Sequence, residues 1–177
     1  MRVLLADIIF LFSLLVVVPF ASASEDVYQK PEVFVAESFD GTVPAVQTLT
    51  LDDAAKARVA KIMGSHYRLP RVEYWLDDGR SAWILEEIGK FEPITSGFIV
   101  GESGKLERVK VLIYRESHGW EVKRKFFTRQ FKGAGLKRGK KLSKRIDGIA
   151  GATLSVDALK RMSALAIMLH ETVSPSP

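Results

Sequence analysis

Apolar residues recur along this chain with two different periods, and the change of period divides it into elements. In LERVKVLIY, residues 106–114, Leu106, Val109, Val111 and Ile113 contain a period of two, with Arg108 and Lys110 facing the other way. That pattern predicts a half-buried strand. PITSGFIVG precedes it across Glu102-Ser103-Gly104-Lys105, which predicts a hairpin. VEYWL and SAWIL flank Asp77-Asp78-Gly79-Arg80, a second hairpin signal, because Asp-Gly readily adopts positive φ. EVFVAES, residues 32–38, also alternates and predicts a short strand ending in a turn at Asp40-Gly41. The period lengthens in DAAKARVAKIM, where Ala54, Ala57, Val59 and Ile62 give a helix its apolar side. Asp52 is its predicted N-cap and Gly64 its stop. VKRKFFTRQF predicts a further helix ending near Gly133. Leu154–Thr172 predicts a long one, with Leu159, Met162, Leu165, Ala166 and Leu169 three or four residues apart. Hairpins with helices segregated around them predict an α+β fold: an antiparallel sheet with a few packed helices, the longest at the C-terminus.

The ends of the chain read differently. Residues 1–23 have a positive start at Arg2, an apolar run from Ile8 to Val18 and a closing Ala21-Ser22-Ala23. This is the pattern of a secretory signal peptide with an A-x-A-like cleavage site, and it predicts export to the periplasm or the outer face of the cytoplasmic membrane. A mature chain would start near Ser24; Asp7 keeps open a retained membrane anchor. Residues 24–90 are expected to complete the fold, 91–173 to form the functional domain, and 174–177, SPSP, to be a disordered tail.

Composition narrows the chemistry. The chain has no cysteine, which excludes disulfides, thiolate-held iron–sulfur clusters, C-x-x-C-H haem attachment and an acylated lipoprotein cysteine. Redox chemistry would have to come from a carried cofactor. Charge is also unevenly placed: residues 25–104 hold 8 Lys and Arg against 14 Asp and Glu, and residues 105–145 hold 15 against 3. The basic block reads either as a solvated face or as a surface for an anionic ligand, lipid or partner. An export signal speaks against nucleic acid.

Familiar catalytic patterns are absent. GESGK is followed by Leu106 where a phosphate loop needs Ser or Thr, and Ile99 stands where it needs glycine. Gly133, Gly135 and Gly139 have the wrong spacing for a dinucleotide fingerprint. His66, His118 and His170 are far apart, so no metal site is expected. Adjacent Ser117 and His118 make a poor start for a hydrolytic triad. No catalytic nucleophile or base is identified, and the expectation is a carrier, not an enzyme.

DGIAGATLS, residues 147–155, remains, and the residues alone leave two readings open. In one, glycines form a turn and Thr153 or Ser155 caps the long helix. In the other, the helix N-terminus holds a phosphate, the small residues 150–152 leave room for a bulky group, and the Thr153 hydroxyl carries it. Lys141, Lys144 and Arg145 lie close by in sequence to balance the charge.

This segment closely resembles the flavinylation motif of the FMN-binding domain family. That family includes the FMN-carrying C subunit of sodium-translocating NADH:quinone reductase, the G subunit of the Rnf complex and small exported FMN-binding proteins. The resemblance runs from about Pro93 to Ala166. ITSGFIVGESGKLERVKVLIYRESHGWEV is similar to the family's strand–turn–strand and E-[ST]-x-G loop, here Glu116, Ser117, His118 and Gly119. FTRQFKG resembles its F-x-x-Q-F-x-G segment. Ala150 departs from the family's usual Ser or Thr. The resemblance implies FMN as a phosphoester on Thr153, installed from FAD by a flavin transferase. It implies cofactor contacts from Asp147, Gly151, Ala152, Ser155 and the 116–119 loop, with Trp83, Trp120 and Phe131 as further candidates for stacking on the ring. It implies electron relay between membrane or periplasmic redox proteins, such as a quinone-linked reductase or a cytochrome. The alternatives are a sensory or scaffolding module that holds FMN without a covalent bond, and a basic exported protein that binds anionic lipid or polymer without flavin.

Overall fold

A computed structural model describes residues 26–174. The signal peptide, its cleavage near Ser24 and the last three residues of the tail lie outside the described residues. Six strands form one antiparallel sheet in the order β1-β6-β5-β4-β3-β2. These are β1 (Asp26–Val27), β2 (Gln47–Thr50), β3 (Arg71–Asp77), β4 (Arg80–Ile88), β5 (Pro93–Val100) and β6 (Leu106–Tyr114). Helices α2 (Asp53–Met63) and α4 (Thr153–Val173) pack on one face, and α1 (Pro31–Ser38) packs on the other. The fold is α+β, with its longest helix at the C-terminus, as the sequence predicts.

The four inner strands come from two hairpins, β3–β4 and β5–β6, joined by the pairing of β4 with β5. Between β3 and β4, Asp78 and Gly79 both take left-handed φ, 44° and 71°, which suits the right-handed twist of the strands they join. Gly104, at φ 66°, closes the β5–β6 turn. On the main face Trp83, Leu85, Phe98, Val109 and Val111 meet Val156, Leu159, Met162 and Leu165 of α4 in one core. Burying a side chain of this size contributes about 2 kcal/mol, so the α4 interface dominates the packing.

Elements that differ from the sequence pattern do so for identifiable reasons. Residues 32–38 are helical, not a strand. Pro31 sits in the first turn, where its fixed φ and missing N–H suit a helix start. Phe34, Val35 and Phe39 bury against Ala82, Ile99 and Leu112. Gly97 makes that docking possible, since a Cβ there would lie 2.4 Å from the Phe34 ring. VKRKFFTRQF is not one helix: Trp120–Lys123 is 3-10, α3 (Lys125–Thr128) is a single turn, and Arg129–Phe131 is 3-10 again. Extended Arg124, at ψ 143°, breaks the run. A short two-stranded ribbon, β7 (Leu136–Lys137) and β8 (Lys141–Leu142), then leads towards α4.

The period of two in β6 is interrupted twice. Ile99 pairs with Arg108 but Val100 with Leu106; likewise Thr95 pairs with Ile113 but Ser96 with Val111. Glu107 and Leu112 are therefore extra residues on β6, and each β-bulge shifts the alternation. After the second, Ile113 falls on the α1 face and Tyr114 turns into the main core.

His170, on the last turns of α4, is buried with Nδ1 2.8 Å from Ser81 Oγ, which also accepts from Trp83 Nε1 at 2.7 Å. Its Nε2 is buried without a partner. Burial, offset in part by the Glu171 charge, holds the imidazole below its usual 6.5. The unfolded chain therefore takes up this proton at a higher pH than the native one. Stability is full above about pH 6.5 and declines as pH falls below it. The melting temperature should drop between pH 7.5 and pH 5 in thermal scans, and His170→Gln, which does not titrate, should flatten that slope.

Candidate functional site

The start of α4 gathers most of the residues singled out in the sequence. Gly151, at φ 79° with open space around it, reverses the chain so that the Ala152 N–H reaches the Ile149 carbonyl at 3.0 Å. Ala152 is the N-cap residue, and no side chain caps the helix. Thr153 is therefore the first helical residue and not the cap, and Ser155 does not cap either. A helix of 21 residues thus opens with its first amide donors free of any side-chain acceptor and with about half a positive charge. Thr153 is exposed at that point.

Ser155 is buried, its Oγ 3.2 Å from the Tyr114 hydroxyl. Tyr114 donates to the His118 carbonyl, which leaves Ser155 to donate to the phenol oxygen. Burial raises the phenol pKa against the opposing pull of Ser155, so Tyr114 stays a neutral donor. Gly119, at φ 80°, packs on the same spot: a Cβ there would lie 3.0 Å from both Ala152 Cβ and the Tyr114 hydroxyl. The small residues at 119 and 152 allow loop 116–119 and the start of α4 to touch.

Glu116 ties in a third segment. Its Oε1 accepts the backbone N–H groups of Lys90, of Phe91 at 2.7 Å and of Glu92 at 3.1 Å, in the β4–β5 turn. Burial alone would raise this carboxyl; the three amide donors and the Lys90 charge outweigh it and hold the pKa below the ordinary value. Gly89 leaves room for the clamp, since a Cβ there would stand 2.8 Å from Glu116 Oε1 and 3.2 Å from Ser155 Oγ.

These segments enclose a cleft of about 420 Å³. Lys90 and Phe91 line one wall, Glu116, Ser117 and His118 a second, and Gly151 to Ser155 the third. Such a volume lies within the range of small-molecule sites. Phe91, 72% exposed, and Leu154, 50% exposed, supply apolar surface at its edge. Ser117 Oγ lies 2.9 Å from His118 Nδ1, and both residues are exposed.

Other residues marked in the sequence lie elsewhere. Asp147 is not in the cleft lining; Gln130 Oε1 accepts its N–H at 2.9 Å, and its carboxylate is 3.7 Å from Arg145. Trp83 stacks on Tyr74 in the core, and Phe131 packs edge-on against Phe127. Trp120 is exposed but outside the lining. Lys141, Lys144 and Arg145, expected beside Thr153 from sequence distance, line a separate recess with Lys61 and Arg161, because the β7–β8 ribbon carries them away. Ala150 is exposed, so the missing hydroxyl leaves no buried group unsatisfied.

Sequence reasoning missed Lys90, Phe91, Leu154, Tyr114 and Gln130. Phe91 had a signal, an aromatic residue in a Gly-Lys-Phe-Glu-Pro turn. Leu154 and Gln130 stand inside the DGIAGATLS and FTRQFKG segments, whereas Lys90 and Tyr114 are defined only by long-range contacts and by the bulge in β6.

Residues 89–168 match the family model described as an FMN-binding domain. No curated protein matches the chain.

Glu116→Gln keeps the shape but weakens the acceptor. Hydrogen bonds to a charged group contribute about 2 kcal/mol net. Amide exchange at Lys90, Phe91 and Glu92 should therefore accelerate at least about tenfold. Unchanged protection there, read by hydrogen-exchange NMR, would mean that the carboxylate does not hold the turn.

Proposed function

We propose, from the match of residues 89–168 to the FMN-binding domain model, that the chain is an exported electron carrier holding FMN as a phosphoester on Thr153. The observation that carries this reading is the exposed Thr153 hydroxyl on the first residue of an uncapped 21-residue helix, at the edge of a cleft with apolar surface. FMN supplies one- and two-electron chemistry when bound, which a chain without cysteine or a haem motif does not supply by itself.

The residues suit that group. Amides of the first α4 turn are placed to hold phosphate oxygens, and the helix dipole favours their negative charge. In the cleft Lys90 adds a full positive charge, which favours both the phosphate and added negative charge on a reduced ring. Glu116 would otherwise repel that charge, but its Oε1 is taken up by three backbone N–H groups. Phe91 and Leu154 offer apolar surface for the ring. Ser155 and Tyr114 brace the floor by their mutual hydrogen bond.

Attachment needs a separate enzyme, the flavin transferase. The Thr153 oxygen would form a bond to the FMN phosphorus of FAD, the pyrophosphate bond would break, AMP would leave, and the hydroxyl proton would pass to a base on the transferase. The protein then acts by position: it keeps the cofactor after export and presents it to donor and acceptor proteins, a quinone-linked reductase or a cytochrome being the expected kinds.

Co-expression with an exported flavin transferase should add the mass of one FMN minus one water to the intact chain, and Thr153→Ala should abolish the increment. An adduct that survives Thr153→Ala would move the attachment elsewhere. Yellow colour released by denaturation would turn the reading to a non-covalent flavin module, and a colourless chain would remove flavin from it altogether.

A further inference from the structure

The cationic segment does not surround the cofactor cleft; much of it lines a different part of the molecule. A recess of about 540 Å³ lies beside the first half of β6. Its lining includes Arg108, Lys110, Lys123, Lys125, Arg129 and Lys132, with Glu107 the one acidic residue there. Arg108 pairs with Glu37, and Glu107 with Arg80. No carboxylate of a described residue pairs with Lys110, Lys123, Lys125, Arg129 or Lys132. The Glu37 carboxylate acts on Lys110 through space, but the cations still outnumber the carboxylates around them, and an external anion relieves their repulsion.

Aromatic rings stand beside these charges. Lys123 Nζ is 3.4 Å from the centre of the Tyr28 ring and 5.7 Å from that of Trp120. Arg124 lies 4.3 Å from the Trp120 ring. Trp120 and Phe126 are 40% and 49% exposed. Protein interfaces use Trp and Tyr too but are poor in lysine, and four of these five cations are lysines. A lipid surface suits both features. Trp and Tyr favour the headgroup level, long cationic side chains reach the phosphates, and anionic lipid attracts basic clusters.

We propose that the face built by Lys110, Trp120, Lys123, Lys125, Arg129 and Lys132 docks the protein on an anionic lipid surface. Tyr114, which braces the cleft floor, lies four residues further along β6 than Lys110, roughly 13 Å at ordinary strand rise. The proposal is independent of flavin loading.

The test uses the full chain with vesicles of mixed phosphatidylglycerol and phosphatidylcholine, against phosphatidylcholine alone. Residues 1–25 contribute equally to every variant, so differences isolate the face. Wild type should prefer the anionic vesicles, and Trp120 emission should move to shorter wavelength, a shift lost in Trp120→Phe. Neutralising Lys123, Lys125 and Arg129 together to Gln should weaken partitioning about a hundredfold, at about fivefold per charge near the surface. The same neutralisation of Lys137, Arg138 and Lys140 on the β7–β8 ribbon should weaken it far less. Equal loss in the two triple variants would reduce the effect to net charge and overturn the proposal. So would indifference to phosphatidylglycerol. Polyglutamate binding as tight as vesicle binding, with no Trp120 shift, would assign the face to an acidic protein instead.

Discussion

The packing of α4 across the sheet is the constraint from which the site follows. The helix buries thirteen of its residues, among them Leu159, Met162, Leu165 and Leu169, against β4, β5 and β6. A core of this density fixes the helix in position and register. Its N-terminus therefore emerges at one place, beside the ends of β4 and β6. Thr153 is exposed because it stands where the apolar stripe stops, not because its loop is loose.

Two other segments reach that place by backbone irregularity. The bulge at Leu112 rotates the end of β6 so that Tyr114 faces α4 and Ser155. Without the extra residue, strict alternation would turn Tyr114 to the α1 face, and Ile113 would take its place. The carboxylate of Glu116 then draws the β4–β5 turn onto the same spot. Gly89, Gly119 and Ala152 are small where these segments converge, and a methyl group at either glycine would meet atoms at 3.0 Å or less.

Local physics made most of the fold legible. Both hairpins carry their turn glycines, α2 carries its Asp cap, and α4 carries an unbroken stripe. The failures share one cause, that distant contacts outweighed local pattern. The alternation in residues 32–38 suggested a strand, yet Pro31 and the gap over Gly97 allow a helix to dock. The run from Val122 to Phe131 looked continuous, yet Phe127 and Phe131 pack into the core only with a break at Arg124. Within the site, the sequence marked Thr153, Ser155 and the 116–119 loop, which the fold brings together. It did not mark Lys90 or Phe91, because their position depends on a carboxylate 24 or more residues further along the chain. Conversely, Lys141, Lys144 and Arg145 are close to Thr153 in sequence and remote from it in the fold.

The missing side-chain cap on α4 has a consequence for when the domain reaches its final order. Helices this long are usually finished by a Ser, Thr, Asp or Asn oxygen at the boundary, and here the boundary residue is Ala152. No side chain among the described residues supplies the last acceptor, which leaves it to water or to a better anion. An oxyanion tethered one residue later would be that acceptor, and the opening turn would tighten in the same event that loads it. Loading and maturation of the polypeptide would then be a single step, and an apoprotein would differ from its holoprotein first in the dynamics of Thr153 to Ser155, not in the sheet.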